Sequence, residues 1–150
     1  MCIRDRLFGE EHESTAKSYR QLGVTQNKMH DYSAALQSHQ HALAIRLKLF
    51  GEEHKSTADS YGQLGVTQYN MDDYGAALQS EHHALAIHIE LFGEDHKSTA
   101  DSYRELGVTQ NEMHDYSAAQ QSHRHALAIR LKLFGEEHES TADSLSLIHI

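Results

Sequence analysis

A solenoid of αα-hairpins, all-α throughout, is the fold class this sequence predicts, and three observations predict it. A 42-residue unit opens at Leu7, Leu49 and Leu91 and begins again at Leu133. Each copy carries two stretches of helical periodicity joined by short polar turns. Proline is absent from all 150 residues, which suits a mostly helical chain. A period of this size is the signature of stacked repeats, in which each unit buries surface only against its neighbours. The chain therefore divides into repeats at 7–48, 49–90 and 91–132 and a partial repeat at 133–144, with end segments at 1–6 and 145–150. Repeat 1 starts at the tail of a preceding helix.

Each unit opens with Leu-Phe-Gly, at Phe8-Gly9, Phe50-Gly51, Phe92-Gly93 and Phe134-Gly135. Glycine just after an apolar-periodic segment predicts a left-handed helix C-cap. The acidic connection that follows leads to Ser56–Asp59, Ser98–Asp101 and Ser140–Asp143. Serine with an acid three residues on resembles a capping box and makes Ser56 and its equivalents the expected N-caps. Repeat 1 has Lys17 in the acidic place.

The first helix of repeat 1 is expected over 15–28, with Ala16, Tyr19, Leu22 and Gly23 on one face. Glycine inside a helix costs roughly 1 kcal/mol against alanine. Its recurrence at Gly65 and Gly107 implies close approach of a partner helix. Asp31 is expected to cap a second helix over 32–50, which turns Ala35, Leu36, Ala42, Leu43 and Ile45 toward its neighbours.

These residues resemble the tetratricopeptide repeat. Tyr19, Leu22-Gly23, Ala35 and Ala42 stand at the spacings of that family's aromatic, Leu-Gly and paired small residues. The longer period, the Leu-Phe-Gly-Glu-Glu-His connection and Ala42–Arg46 are closest to its kinesin-light-chain-like subclass. The resemblance covers 7–144 and implies a right-handed superhelix. The family usually has aromatic residues where this chain has Gln26, Gln68 and Gln110, and where it has His39, Glu81 and His123. In such repeats the two places face each other, and polar groups buried there need partners or cost about 1–3 kcal/mol each. A polar seam is therefore expected, with Gln26 near His39 and Gln110 near His123.

The ends depart from the repeat. Residues 1–6 back-translate as ATG TGT ATA AGA GAC AG, which resembles the mosaic-end adapter of transposase-based sequencing libraries. The reverse complement of that adapter reads as Leu145–Ile150. Both segments are expected to be library scars, to be left out of functional reasoning. The single cysteine, Cys2, then lies in a scar, and cysteine usage gives no redox compartment. Leu145 falls where Tyr19 would recur and Ile148 where Leu22 would, so the last scar is expected to continue a helix docked on the second helix of repeat 3.

The formal charge of −9 argues against nucleic acid or an anionic membrane as partner, since both need clustered Lys and Arg. Leaving out Arg4, Asp5 and Arg6 removes one net positive charge and makes it about −10. Fourteen histidines suggest metal, but helical metal pairs need i, i+3 or i, i+4 spacing. His39 and His41 are two apart, His82 and His83 adjacent, and His83 and His88 five apart. His41, His83 and His125 in successive repeats would be separated by a helix-pair width of roughly 10 Å, too far for one zinc ion. No metal and no cofactor is expected. Phosphate-loop spacing is absent, and serine and histidine recur in every unit instead of forming one singular cluster, so no enzyme activity is expected of this segment.

Recognition of a protein or peptide remains. The resemblance implies a concave face lined by first-helix residues: Lys17, Arg20, Val24, Asn27 and Lys28, then Asp59, Gly62, Val66, Tyr69 and Asn70, then Asp101, Arg104, Val108, Asn111 and Glu112. Repeats 1 and 2 differ at all these places except the valine, while the Tyr, Leu-Gly and Ala positions are unchanged. Kinesin light chains carry an asparagine pair in the first helix where this chain has Arg20-Gln21, Gly62-Gln63 and Arg104-Glu105. The function expected is a protein-binding scaffold. A kinesin-type cargo adaptor, the sensor region of a signalling ATPase and a ligand-free spacer are the alternatives, and the expected location is cytoplasmic.

Overall fold

A computed structural model describes residues 12–135. The periodic stretches become six helices: α1 (Glu13–Lys28), α2 (Tyr32–Phe50), α3 (Lys55–Asn70), α4 (Tyr74–Phe92), α5 (Lys97–Glu112) and α6 (Tyr116–Phe134). The chain divides within α4 into two compact units, one running to Ile87 and the other starting at His88. In the first, α1 packs on α2, α2 on α3, and α1 also touches α3. In the second, α5 packs on α6. Both end segments, the partial repeat beyond Gly135 and the docked helix expected at Leu145 lie outside the described residues.

Helix starts correct the capping expectation. The N-caps of α1, α3 and α5 are His12, His54 and His96, whose Nδ1 atoms accept from the backbone N–H of Ser14, Ser56 and Ser98 at 3.0 Å. The serines sit two residues past the cap, within the first turn, because each imidazole reaches the orphan N–H first. The imidazole is also held from behind, since Phe50 stacks on His54 at 4.1 Å and Phe92 on His96 at 4.3 Å. Thr57 and Thr99 tie the same helix starts to the preceding Gly51 and Gly93 carbonyls at 2.8 Å. Removing a cap acceptor costs about 1 kcal/mol. His54→Ala is expected to lose roughly that much in denaturant unfolding, and His54→Asp to retain it.

Asp31 caps α2 as expected, accepting from the Ala34 N–H at 3.4 Å. Gly51 has positive φ (78°), but its ψ of −172° is extended, so it is not a left-handed helical cap. The left-handed residues are His30, Asp72 and His114 (φ 61–63°) in the turns within each hairpin. There Asp31 N–H bonds the Gln26 carbonyl and His30 N–H the Asn27 carbonyl, the paired bonds of a Schellman ending. No glycine marks it. Its side chain is tied instead to the tyrosine two residues on, His30 Nδ1 to Tyr32 Oη at 2.6 Å and Tyr74 Oη donating to Asp72 at 2.9 Å.

The core is built of small residues: Ala16, Ala35, Ala42, Ala58, Ala77 and Ala84 with Ile45, Leu64, Leu85 and Ile87 in the first unit, and Ala100, Leu106, Ala119, Ala126 and Ile129 in the second. Leu22 is 48% exposed where Leu64 is 5%.

Candidate functional site

Alanine and glycine at the hairpin seam bring paired helices close, which fixes what can stand opposite. A Cβ placed on Gly23 would lie 2.6 Å from the His39 ring, and one on Gly107 2.5 Å from the His123 ring. At Gly65 the neighbour is the Glu81 side chain, at 3.1 Å. The recurring glycines thus serve close approach, as expected. The polar seam differs from expectation in its pairing. Ser38, Ser80 and Ser122 donate to Gln26, Gln68 and Gln110, each at 2.6 Å. The glutamines reach the serine one residue before the histidine or glutamate, because the latter side chain packs against the glycine.

Most of the remaining histidines of the second helices also have packing roles. His41, His83 and His125 stack on Tyr19, Tyr61 and Tyr103 with ring centroids 4.5–4.7 Å apart. Burial raises the Tyr61 and Tyr103 hydroxyl pKa values, with Glu52 and Glu94 adding to the effect. Among the described residues no helix is long and apolar enough to cross a membrane.

On the first-helix face of the first unit, α1 and α3 lie side by side. Arg20 Nε is 2.5 Å from Asp59 and Asn27 Nδ2 donates to Thr67 Oγ1 at 2.9 Å. The hydrogen bond to Asp59 raises the Arg20 pKa. Three of the expected contact residues, Arg20, Asn27 and Asp59, therefore join adjacent first helices. Lys17, Lys28 and Asn70 stay exposed, Val24 is half-buried, Val66 is 41% exposed, and Tyr69 sets its ring at 5.3 Å to Tyr74, edge to face. On α5 of the second unit, Asp101 pairs with Arg130 at 3.2 Å and Arg104 with Glu105 at 2.6 Å, while Asn111 and Glu112 are exposed and Val108 is half-buried.

Arg46 was missed as a special residue by sequence reasoning. It is 4% exposed. Its Nε donates to Glu13 at 3.1 Å, and its Nη1 donates to the Ser56 carbonyl, Asp59 and Ser60 at 2.9–3.1 Å. One guanidinium thus joins α1, α2 and α3. The signal available was comparison among copies. Arg46 recurs as Arg130 but is His88 in repeat 2, where Nδ1 lies 2.7 Å from Ser102 Oγ.

A family model described as tetratricopeptide repeat matches residues 3–48, 27–81 and 69–132. Among solved structures, BtubC (BKLC) from P. vanneervenii aligns with a TM-score of 0.80 at 24% identity, over 85% of this chain and 51% of that one. A kinesin light chain candidate with nearly identical TPR-like repeats from Podosopora anserina aligns with a TM-score of 0.75 at 21% identity, over 87% of this chain and 62% of that one. A single-residue variant of it gives 0.76. At these identities the likeness is one of fold, and the chain spans 51–62% of the length of those proteins. No curated protein matches the chain.

Proposed function

This chain belongs to the tetratricopeptide repeat family, and from that premise we propose that it is a protein–protein interaction scaffold holding an extended or helical peptide on the exposed face of its first helices. The observation that carries this reading is the division of that face in the first unit. Arg20, Asn27 and Asp59 are consumed in joining α1 to α3, whereas Lys17, Lys28, Val66 and Asn70 remain exposed. Val24 and Val66 supply a narrow apolar floor with Tyr69 beside it. With Arg20 neutralised by Asp59, the unspent charge on α1 is that of Lys17 and Lys28, so the favoured peptide carries acidic residues there. Rim charges of this kind set orientation and on-rate, and each is worth about 0–1 kcal/mol.

Peptide-array binding tests the assignment. Tyr69→Ala is expected to weaken the preferred peptides by about tenfold or more, as truncation of an aromatic anchor does. The double change Lys17→Glu/Lys28→Glu is expected to shift the preference away from acidic peptides. Unchanged affinity in the first variant together with unchanged preference in the second rejects this face as the binding surface. A segment of a kinesin-light-chain-type cargo adaptor is the second reading, supported by likeness to the Podosopora anserina protein. Binding of cargo peptides that survives Tyr69→Ala but is lost when Gln21 and Gln63 are replaced would favour it over the first.

A further inference from the structure

His39 is 1% exposed, and neither ring nitrogen has a hydrogen-bond partner. Its ring lies flush on Gly23, where even a methyl group would overlap it. A neutral imidazole tolerates that place as an aromatic filler, but a charged one does not, since an unpaired buried ion is far costlier than an unbonded neutral group. The same position in repeat 3 is His123. His123 also covers its glycine but is only half-buried.

We propose that His39 is an acid-released latch: neutral, it seals α1 against α2, and protonation opens the first hairpin. The charged groups around it offer the imidazolium little net relief. From α1 comes Arg20, one turn before Gly23, which opposes a second positive charge. From α3 comes Asp59, which attracts it but is already held by Arg20 and by Arg46 of α2. The other nearby carboxylate, Glu13, is bound to Arg46 and stands ten residues from Gly23, about 15 Å along the helix. Desolvation is the largest influence on His39 and acts in the same direction, lowering its pKa from the ordinary 6.5. The latch is therefore fully closed above about pH 6.5, and its stabilisation is lost as pH falls from there through the lowered folded value. Hairpin opening should rise by up to about tenfold per pH unit in that window, the limit for one proton. The inference does not rest on the peptide-binding reading, although an open first hairpin would also dismantle the α1 part of that face.

Amide hydrogen exchange of the full chain at pH 7.5, 6.5 and 5.5, corrected for intrinsic exchange rates, reads the latch directly. Amides of α1 and α2 are expected to lose protection in acid more steeply than those of α5 and α6. His39→Phe keeps an aromatic filler without a titrating group and is expected to abolish the difference. His39→Gln serves the same purpose if phenylalanine does not fit over Gly23. An NMR titration of the wild-type His39 Cε1–H is expected to show a midpoint below the ordinary imidazole value. A midpoint at or above 6.5 overturns the proposal, as does acid-dependent exchange of α1 and α2 that persists in the non-titrating variant.

Discussion

Arg46→Met is expected to destabilise the first unit by about 3 kcal/mol, the low end of the cost of breaking a buried ion pair by removing one partner. Methionine retains most of the buried volume, so the loss is chiefly electrostatic. Glu13 would lose its cation while its Oε2 is already buried without a partner. Ser60 and the Ser56 carbonyl would lose their donor. The figure stays at the low end because Asp59 keeps Arg20. Arg130→Met alters the same position in repeat 3 but removes a half-exposed pair with Asp101, worth about 0–1 kcal/mol. Urea unfolding of both variants measures the contrast. Equal losses would show that α1, α2 and α3 are not held through Arg46.

Gly23→Ala carries the second large effect. Alanine gains roughly 1 kcal/mol in helix propensity, but its Cβ would sit 2.6 Å from an enclosed imidazole. Overpacking of that kind costs about 1–3 kcal/mol, and with His39 only 1% exposed the ring has no room to retreat. Because the ring is enclosed, the net loss is expected toward the upper end of that difference, about 1–2 kcal/mol. Gly62→Ala is the control, since nothing lies within 4 Å of its added methyl, and a gain of about 0.5–1 kcal/mol is expected there. Combining Gly23→Ala with His39→Ala should recover part of the loss, because the clash is confined to one pair. Additive losses in this double-mutant cycle would place the strain elsewhere.

The histidines show why local reading misassigned the helix starts. From sequence, Ser56 with Asp59 satisfies the pattern of a capping box. In three dimensions Asp59 faces Arg20 and Arg46, and His54, backed by Phe50, takes the serine N–H. Both residues of the expected box were drawn to partners that sequence spacing does not reveal. The Schellman ending at His30 was hidden for a related reason. Its usual glycine is absent, and the left-handed residue is secured by contact with Tyr32.

What the sequence determined alone was the repeat itself and the helices it carries. The repeat fixes helix number, order and length, the Asp31 cap and the small residues at the seam, because a copied unit must bury its apolar face against a copy of itself. Family membership follows from the same positions. The tertiary structure decided everything that depends on which neighbour stands across a joint. Gln26 bonds Ser38 while His39 is sealed over Gly23, because two helices meeting at a glycine bring the side chain of position 39 against that glycine's backbone. Arg20, Asn27 and Asp59 became joints between α1 and α3, because charged and amide side chains on adjacent parallel faces satisfy one another when the helices touch. Arg46 and Arg130 occupy the same place in the repeat, yet one is buried in a network and the other half-exposed. Arg46 is buried by the groups of α1 and α3 that bond it, and a residue's own sequence does not state what is stacked against it.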